Sequence, residues 1–119
     1  MKVLEMLETY PKSAIVVKQW FLEKMLESLN DDSLPEDFKE HVRSMGIDND
    51  KVAGMVEHSP RALFDVFDEH KIFIQINVNT PYFSYSINGG DVISGSWDLR
   101  KDAERSAVQQ AFNLLNEKL

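Results

Sequence analysis

The residues able to do chemistry near neutral pH are few. The chain has 119 residues with three histidines, His41, His58 and His70, and no cysteine. Thiol nucleophiles, disulfides and cysteine zinc sites are thereby excluded. Histidine titrates near neutrality, but no two histidines stand four apart, the spacing that puts two imidazoles on one helix face for a metal. Asp48-Asn49-Asp50 has the beginning of a calcium loop. That loop needs glycine at its sixth place and glutamate at its twelfth, where this chain has Ala53 and Ser59. Asp65, Asp68 and Glu69 group carboxylates on a helix end, where solvation is the expected fate. Neither a Gly-rich phosphate loop nor a Gly-x-Ser-x-Gly elbow is present. The expectation is a non-enzymatic protein with no catalytic residues, no metal and no cofactor.

Charge and aromatic side chains offer binding instead. Thirteen Lys and Arg stand against 20 Asp and Glu, a net charge of -7. Such a balance repels nucleic-acid backbones at long range and favours basic partners, while permitting a local basic patch. Arg100 and Lys101 are the candidate patch, with Arg105 a turn further on. At the first turn of a helix they would join its free N–H groups in holding an anion. The competing reading pairs them locally with Asp102 and Glu104 on a solvated face. Phe73, Tyr82, Trp97 and Trp20 are the candidate partner-binding aromatics, because exposed apolar rings mark contact surfaces.

A composition of 43% hydrophobic and 28% charged residues is that of a folded globular chain. Glu5 and Glu8 interrupt any apolar leader. The longest aliphatic run, residues 14–17, is far below the roughly 20 residues of a membrane span. A cytoplasmic protein with no membrane partner is expected.

The first half reads as helices. Val3, Leu4, Met6 and Leu7 give a short apolar face before Tyr10-Pro11. Ser13 is placed to cap the next helix, in which Ile15, Val16, Trp20, Leu22, Met25, Leu26 and Leu29 recur three and four apart. Asn30-Asp31-Asp32-Ser33 forms a turn cluster, with Ser33 a cap. Phe38, Val42 and Met45 form the buried stripe of a third helix that Gly46 ends. Asp48 and Asn49 cap a fourth, with Val52, Met55 and Val56 inward.

At Ser59-Pro60 the pattern changes. A serine cap and a proline at the first helical position start about three turns ending near His70. Ile72, Ile74, Ile76 and Val78 then alternate with Phe73, Gln75, Asn77 and Asn79 as one strand with an apolar face, and Phe83, Tyr85 and Ile87 alternate with Tyr82, Ser84 and Ser86 as a second. Asn88-Gly89 is the most specific hairpin signal, since both central residues of a type I′ turn need φ > 0. A third strand spans residues 92–96. A long helix follows from Asp98, with Leu99, Ala103, Ala107, Ala111, Leu114 and Leu115 along one side. The expected architecture is α+β: a helical segment over residues 1–57 and an α-β-β-β-α domain over 58–119, forming one compact unit. In it the N-terminal helices pack on a three-stranded antiparallel sheet with a long C-terminal helix.

The C-terminal half resembles a double-stranded-RNA-binding domain. The likeness is carried by the element order, the glycine hairpin and Gly95-Ser96-Trp97-Asp98-Leu99-Arg100-Lys101-Asp102-Ala103, followed by Ala107, Ala111 and Leu115. It implies that Arg100 and Lys101 fall where the family's paired lysines grip phosphates, reading duplex RNA by shape. Three departures oppose that use, the first being Asp65, Asp68 and Glu69 on the domain's first helix, where a phosphate-facing surface should avoid acid. Glu104 replaces a further basic residue of the family, and the link at Asn79-Thr80-Pro81 is too short for its minor-groove loop. Members of the fold without RNA contacts serve as protein-docking modules. The expected function is therefore a small acidic regulator or adaptor docking on a basic protein partner, with a nucleic-acid-processing protein as one such partner. The alternative is double-stranded RNA binding.

Overall fold

The computed structural model describes residues 2–28, 35–89 and 93–119. Four helices come first: α1 (Val3–Thr9), α2 (Pro11–Ser28), α3 (Glu36–Met45) and α4 (Asn49–Val56). A 3-10 turn (Pro60–Leu63) leads into α5 (Phe64–Glu69), then β1 (Ile74–Asn79), β2 (Tyr82–Ile87), β3 (Ile93–Trp97) and α6 (Arg100–Lys118). Local chemistry explains several boundaries. Pro11 opens α2 with its ring-fixed φ. Asp48 caps α4 by accepting a 2.8 Å hydrogen bond from the Lys51 N–H. Gly46 ends α3 at φ 70°, a region that costs a glycine nothing.

β1 and β2 form a continuous antiparallel ladder from Ile74 opposite Ile87 to Asn79 opposite Tyr82. Thr80-Pro81, joined by a cis peptide bond, links them. Asn88 (φ 56°) and Gly89 (φ 70°) follow β2 in the left-handed conformation that a type I′ turn requires.

The expected α+β class is kept, but the expected packing of helices on a regular three-stranded sheet is corrected. The regular ladder has two strands, β1 and β2. β3 meets β2 at two registered pairs, Phe83 with Trp97 and Tyr85 with Ile93, and the register shifts between them. The principal contacts of α1 and α2 are with α6, with α4 and with each other, whereas the strands are met by α6 and α5. The physical reason lies in what each surface offers. Val108, Phe112 and Leu115 of α6 form a large apolar stripe, and Val3, Met6, Leu7, Val17, Val56 and Phe67 are buried with it in one core. Phe67 and Phe112 meet edge to face at 5.4 Å. Ser84 and Ser86, on the opposite face of β2 from Tyr85, offer no comparable surface. Ser84, Tyr85 and Ser86 are nevertheless all buried, so β2 is covered on both faces at its middle.

Other expectations fail for related reasons. The three-turn helix from Ser59 is a 3-10 turn and a short α5, and Ser59 makes no side-chain cap. Ser13 sits inside α2 rather than capping it, and is fully buried. α3 buries none of its residues, although its periodicity promised a buried stripe. Leu99 is exposed at the cap of α6. The turn at residues 30–33 with its Ser33 cap, Leu29 of the second helix, and Val92 of the third strand lie outside the described residues.

Candidate functional site

The basic residues at the start of α6 separate into two groups. Arg100 and Lys101 are exposed, and the Arg100 guanidinium lies 5.5 Å from the centre of the Phe83 ring, a cation–π distance. Lys101 makes no ion pair among the described residues. Arg105 does not belong with them. It pairs with Glu57 at 3.4 Å and Asp102 at 3.6 Å, and donates a 3.1 Å hydrogen bond to the Glu57 carbonyl oxygen. Its charge is used inside the fold.

The four aromatic candidates are not brought together. Phe73 and Tyr82 are both exposed, but they stand at opposite ends of the β1–β2 ladder. Phe73 meets Asn88 at one end, and Tyr82 faces Asn79 at the other. At about 3.3 Å per residue, a six-residue strand separates them by roughly 20 Å. Trp97 is half-buried, its ring 5.5 Å from that of Tyr85. Burial raises the Tyr85 hydroxyl above its ordinary pKa by desolvating the phenolate. Trp20 lies far along α2, edge to face with Phe21 at 5.0 Å and with Lys24 5.5 Å over its ring. Its indole N–H is buried without a hydrogen-bond partner.

Two features escaped the sequence reading. The first is α3, whose Phe38 and Met45 are 46% and 72% exposed. A hollow of about 350 Å³ lies nearby, lined by Ile15, Leu22, Arg43 and Ile47 among others. Arg43 bridges Glu23 of α2 and Glu40 of its own helix at 3.2 and 2.7 Å, and these carboxylates hold its guanidinium above its ordinary pKa. The second is Glu104, only 6% exposed. Its side chain makes no hydrogen bond or ion pair among the described residues. A signal for it exists in the sequence: Glu104 falls four before Val108 and seven before Ala111, on the apolar stripe of α6.

His41 and His58 are exposed, and His70 is half-buried at the end of α5. Among the described residues no group of three or more His, Asp or Glu is placed to hold a metal. Nor is any helix there long and apolar enough to cross a membrane. Compared with known proteins, this chain matches no family model, no curated protein and no solved structure.

Proposed function

We propose that the protein is a non-catalytic binding module, a small acidic regulator or adaptor that docks on a protein partner. The observation that carries this reading is α3. An amphipathic helix gains its stability by burying its apolar face, yet α3 fully buries no residue, and on one side of it Phe38 and Met45 are largely exposed while Val42 between them is half-buried. Apolar helix faces presented in this way are a recurring mode of protein recognition. The net charge of -7 steers encounters toward basic partners. Nucleic-acid-processing proteins, whose polyanion sites are basic, are a class that fits.

The test is affinity capture with the full chain under cross-linking, comparing wild type with two pairs of changes. Phe38→Ser with Met45→Ser should remove the captured partner, and Phe73→Ser with Tyr82→Ser reports whether either end of the sheet contributes. Capture that survives the α3 changes and the aromatic changes alike overturns the reading.

A second reading, duplex RNA binding by a reduced double-stranded-RNA-binding domain, is favoured by one observation: Arg100 and Lys101 are adjacent and exposed. Titration with a duplex of about 16 base pairs at low salt separates the two. RNA recognition requires an affinity that falls steeply with salt and is lost in the Arg100→Glu, Lys101→Glu variant. Protein docking requires neither.

A further inference from the structure

β1 has an unguarded edge. Among the described residues the strand order β1-β2-β3 leaves one side of β1 without a strand. Among the described residues no other element hydrogen-bonds to that side through its backbone. The sequence Ile-Gln-Ile-Asn-Val-Asn carries no charge and no proline, and its pairing with β2 contains no bulge. Edge strands are commonly blunted by lysine, proline or a bulge, because an open row of N–H and C=O groups is a template for another strand. Here none of these devices is used, and Val78 is 56% exposed.

A hollow of about 390 Å³ has Ile74, Gln75 and Ile76 of this edge strand in its wall, together with Phe64. Arg61, Arg100 and Glu104 bring charge to it. Glu104 is 6% exposed as a residue and makes no hydrogen bond or ion pair among the described residues, so its carboxylate is open to a partner that enters the hollow. Neither arginine of the hollow pairs with it. Arg61 is exposed, and Arg100 is engaged over Phe83.

The charge pattern selects the occupant. A lone cation would meet two arginines, and a lone anion would meet Glu104. A segment carrying one of each sign satisfies both. Residues two apart on an extended chain point to the same face, so a Lys or Arg and an acid at that spacing reach one hollow together. We infer that the outer edge of β1 accepts an extended segment of a partner protein by strand addition. Its Lys or Arg pairs with Glu104, and an acidic residue two positions away meets Arg61 or Arg100. This rests on the protein-docking reading above and names the chemistry of the docked segment.

The experiment is an NMR titration of the full, nitrogen-labelled chain with a capped peptide, Thr-Val-Lys-Val-Glu-Val-Thr, and with its norleucine-for-lysine analogue. The lysine peptide should shift the amides of residues 74–79 saturably. Norleucine should weaken binding about five-fold or more to wild type but less than about two-fold to Glu104→Gln, the signature of a direct coupling in a double-mutant cycle. Val78→Lys, an exposed change that guards the edge, should weaken both peptides and keeps the test open should Glu104→Gln fail to fold. Equal binding of the two peptides to wild type, discrimination that persists in Glu104→Gln, or no shifts at about 1 mM peptide each overturn the site. Shifts at residues 74–79 that grow with protein concentration alone make the occupant a second copy of this chain and also overturn it. Any of these leaves the docking reading standing if capture still depends on Phe38 and Met45.

Discussion

Ser13 Oγ donates a 2.6 Å hydrogen bond to the carbonyl oxygen of Phe112, 99 positions along the chain. The Asn116 side-chain oxygen accepts from the N–H groups of Lys12 and Ser13 at 3.0 and 3.4 Å. Those N–H groups belong to the first turn of α2, which has no intrahelical acceptor for them. The last turns of α6 therefore cap α2 from outside. Ser13→Ala and Asn116→Ala should each lower stability by about 1 kcal/mol in urea unfolding. No loss from either would mean that the two helices are held by apolar contact alone.

Glu57 joins three elements. One carboxylate oxygen accepts the Val3 N–H at 2.9 Å, the other pairs with Arg105, and its carbonyl oxygen also accepts from Arg105. Glu57→Ala should cost roughly 1–2 kcal/mol, because it leaves a helix N–H and a guanidinium short of partners. The double change with Arg105→Ala should cost less than the sum of the two singles. Strict additivity would remove the proposed link between α4 and α6.

Asn88 closes the open end of the ladder. Its side-chain oxygen accepts from the Phe73 N–H at 2.7 Å, while its own N–H donates to the Phe73 carbonyl oxygen at 2.8 Å. Asn88→Ala keeps the backbone bond, loses the side-chain one and places alanine at φ 56°. A loss of about 1–2 kcal/mol is expected. Gly89→Ala, at φ 70° with open space around it, should cost about 1 kcal/mol through backbone strain alone.

Burial raises the Tyr85 hydroxyl above its ordinary pKa. The unfolded chain then gives up this proton at a lower pH than the folded chain. The stabilising difference is complete below about pH 10 and is lost as pH rises through the higher folded value. Ultraviolet titration should show one tyrosine ionising late. Wild type should also lose more stability above about pH 10 than Tyr85→Phe does. Parallel losses in the two proteins would contradict this.

Phe38→Ser and Met45→Ser should change stability by no more than about 0.5 kcal/mol, since neither side chain is buried. Phe112→Ala, by contrast, empties the centre of the core and should cost about 3–5 kcal/mol. A large loss at Phe38 or Met45 would mean that their surface is covered in the free protein.

What the sequence determined by itself was local. The Asp48 cap, the Gly46 stop and the left-handed Asn88-Gly89 pair each depend on a few neighbouring backbone groups. The same chemistry therefore acts wherever the segment sits in the fold. The stripe of Ala103, Ala107 and Ala111 was legible because helical spacing alone puts small residues on one side, and all three are buried.

Tertiary structure decided which periodic faces found a partner. Phe38, Val42 and Met45 have the spacing of a buried stripe, but none of them is fully buried, and Phe38 and Met45 remain 46% and 72% exposed. Ser13 had the type of a cap, yet Pro11 began the helix two residues earlier and α6 supplied a carbonyl oxygen for the hydroxyl. Glu104 read as a reversed surface charge until its place on the stripe of α6 buried it. The N-terminal helices followed Val108, Phe112 and Leu115 rather than the sheet, because burial rewards the largest complementary apolar surface. That surface is assembled from residues far apart in the chain, which no local pattern can express.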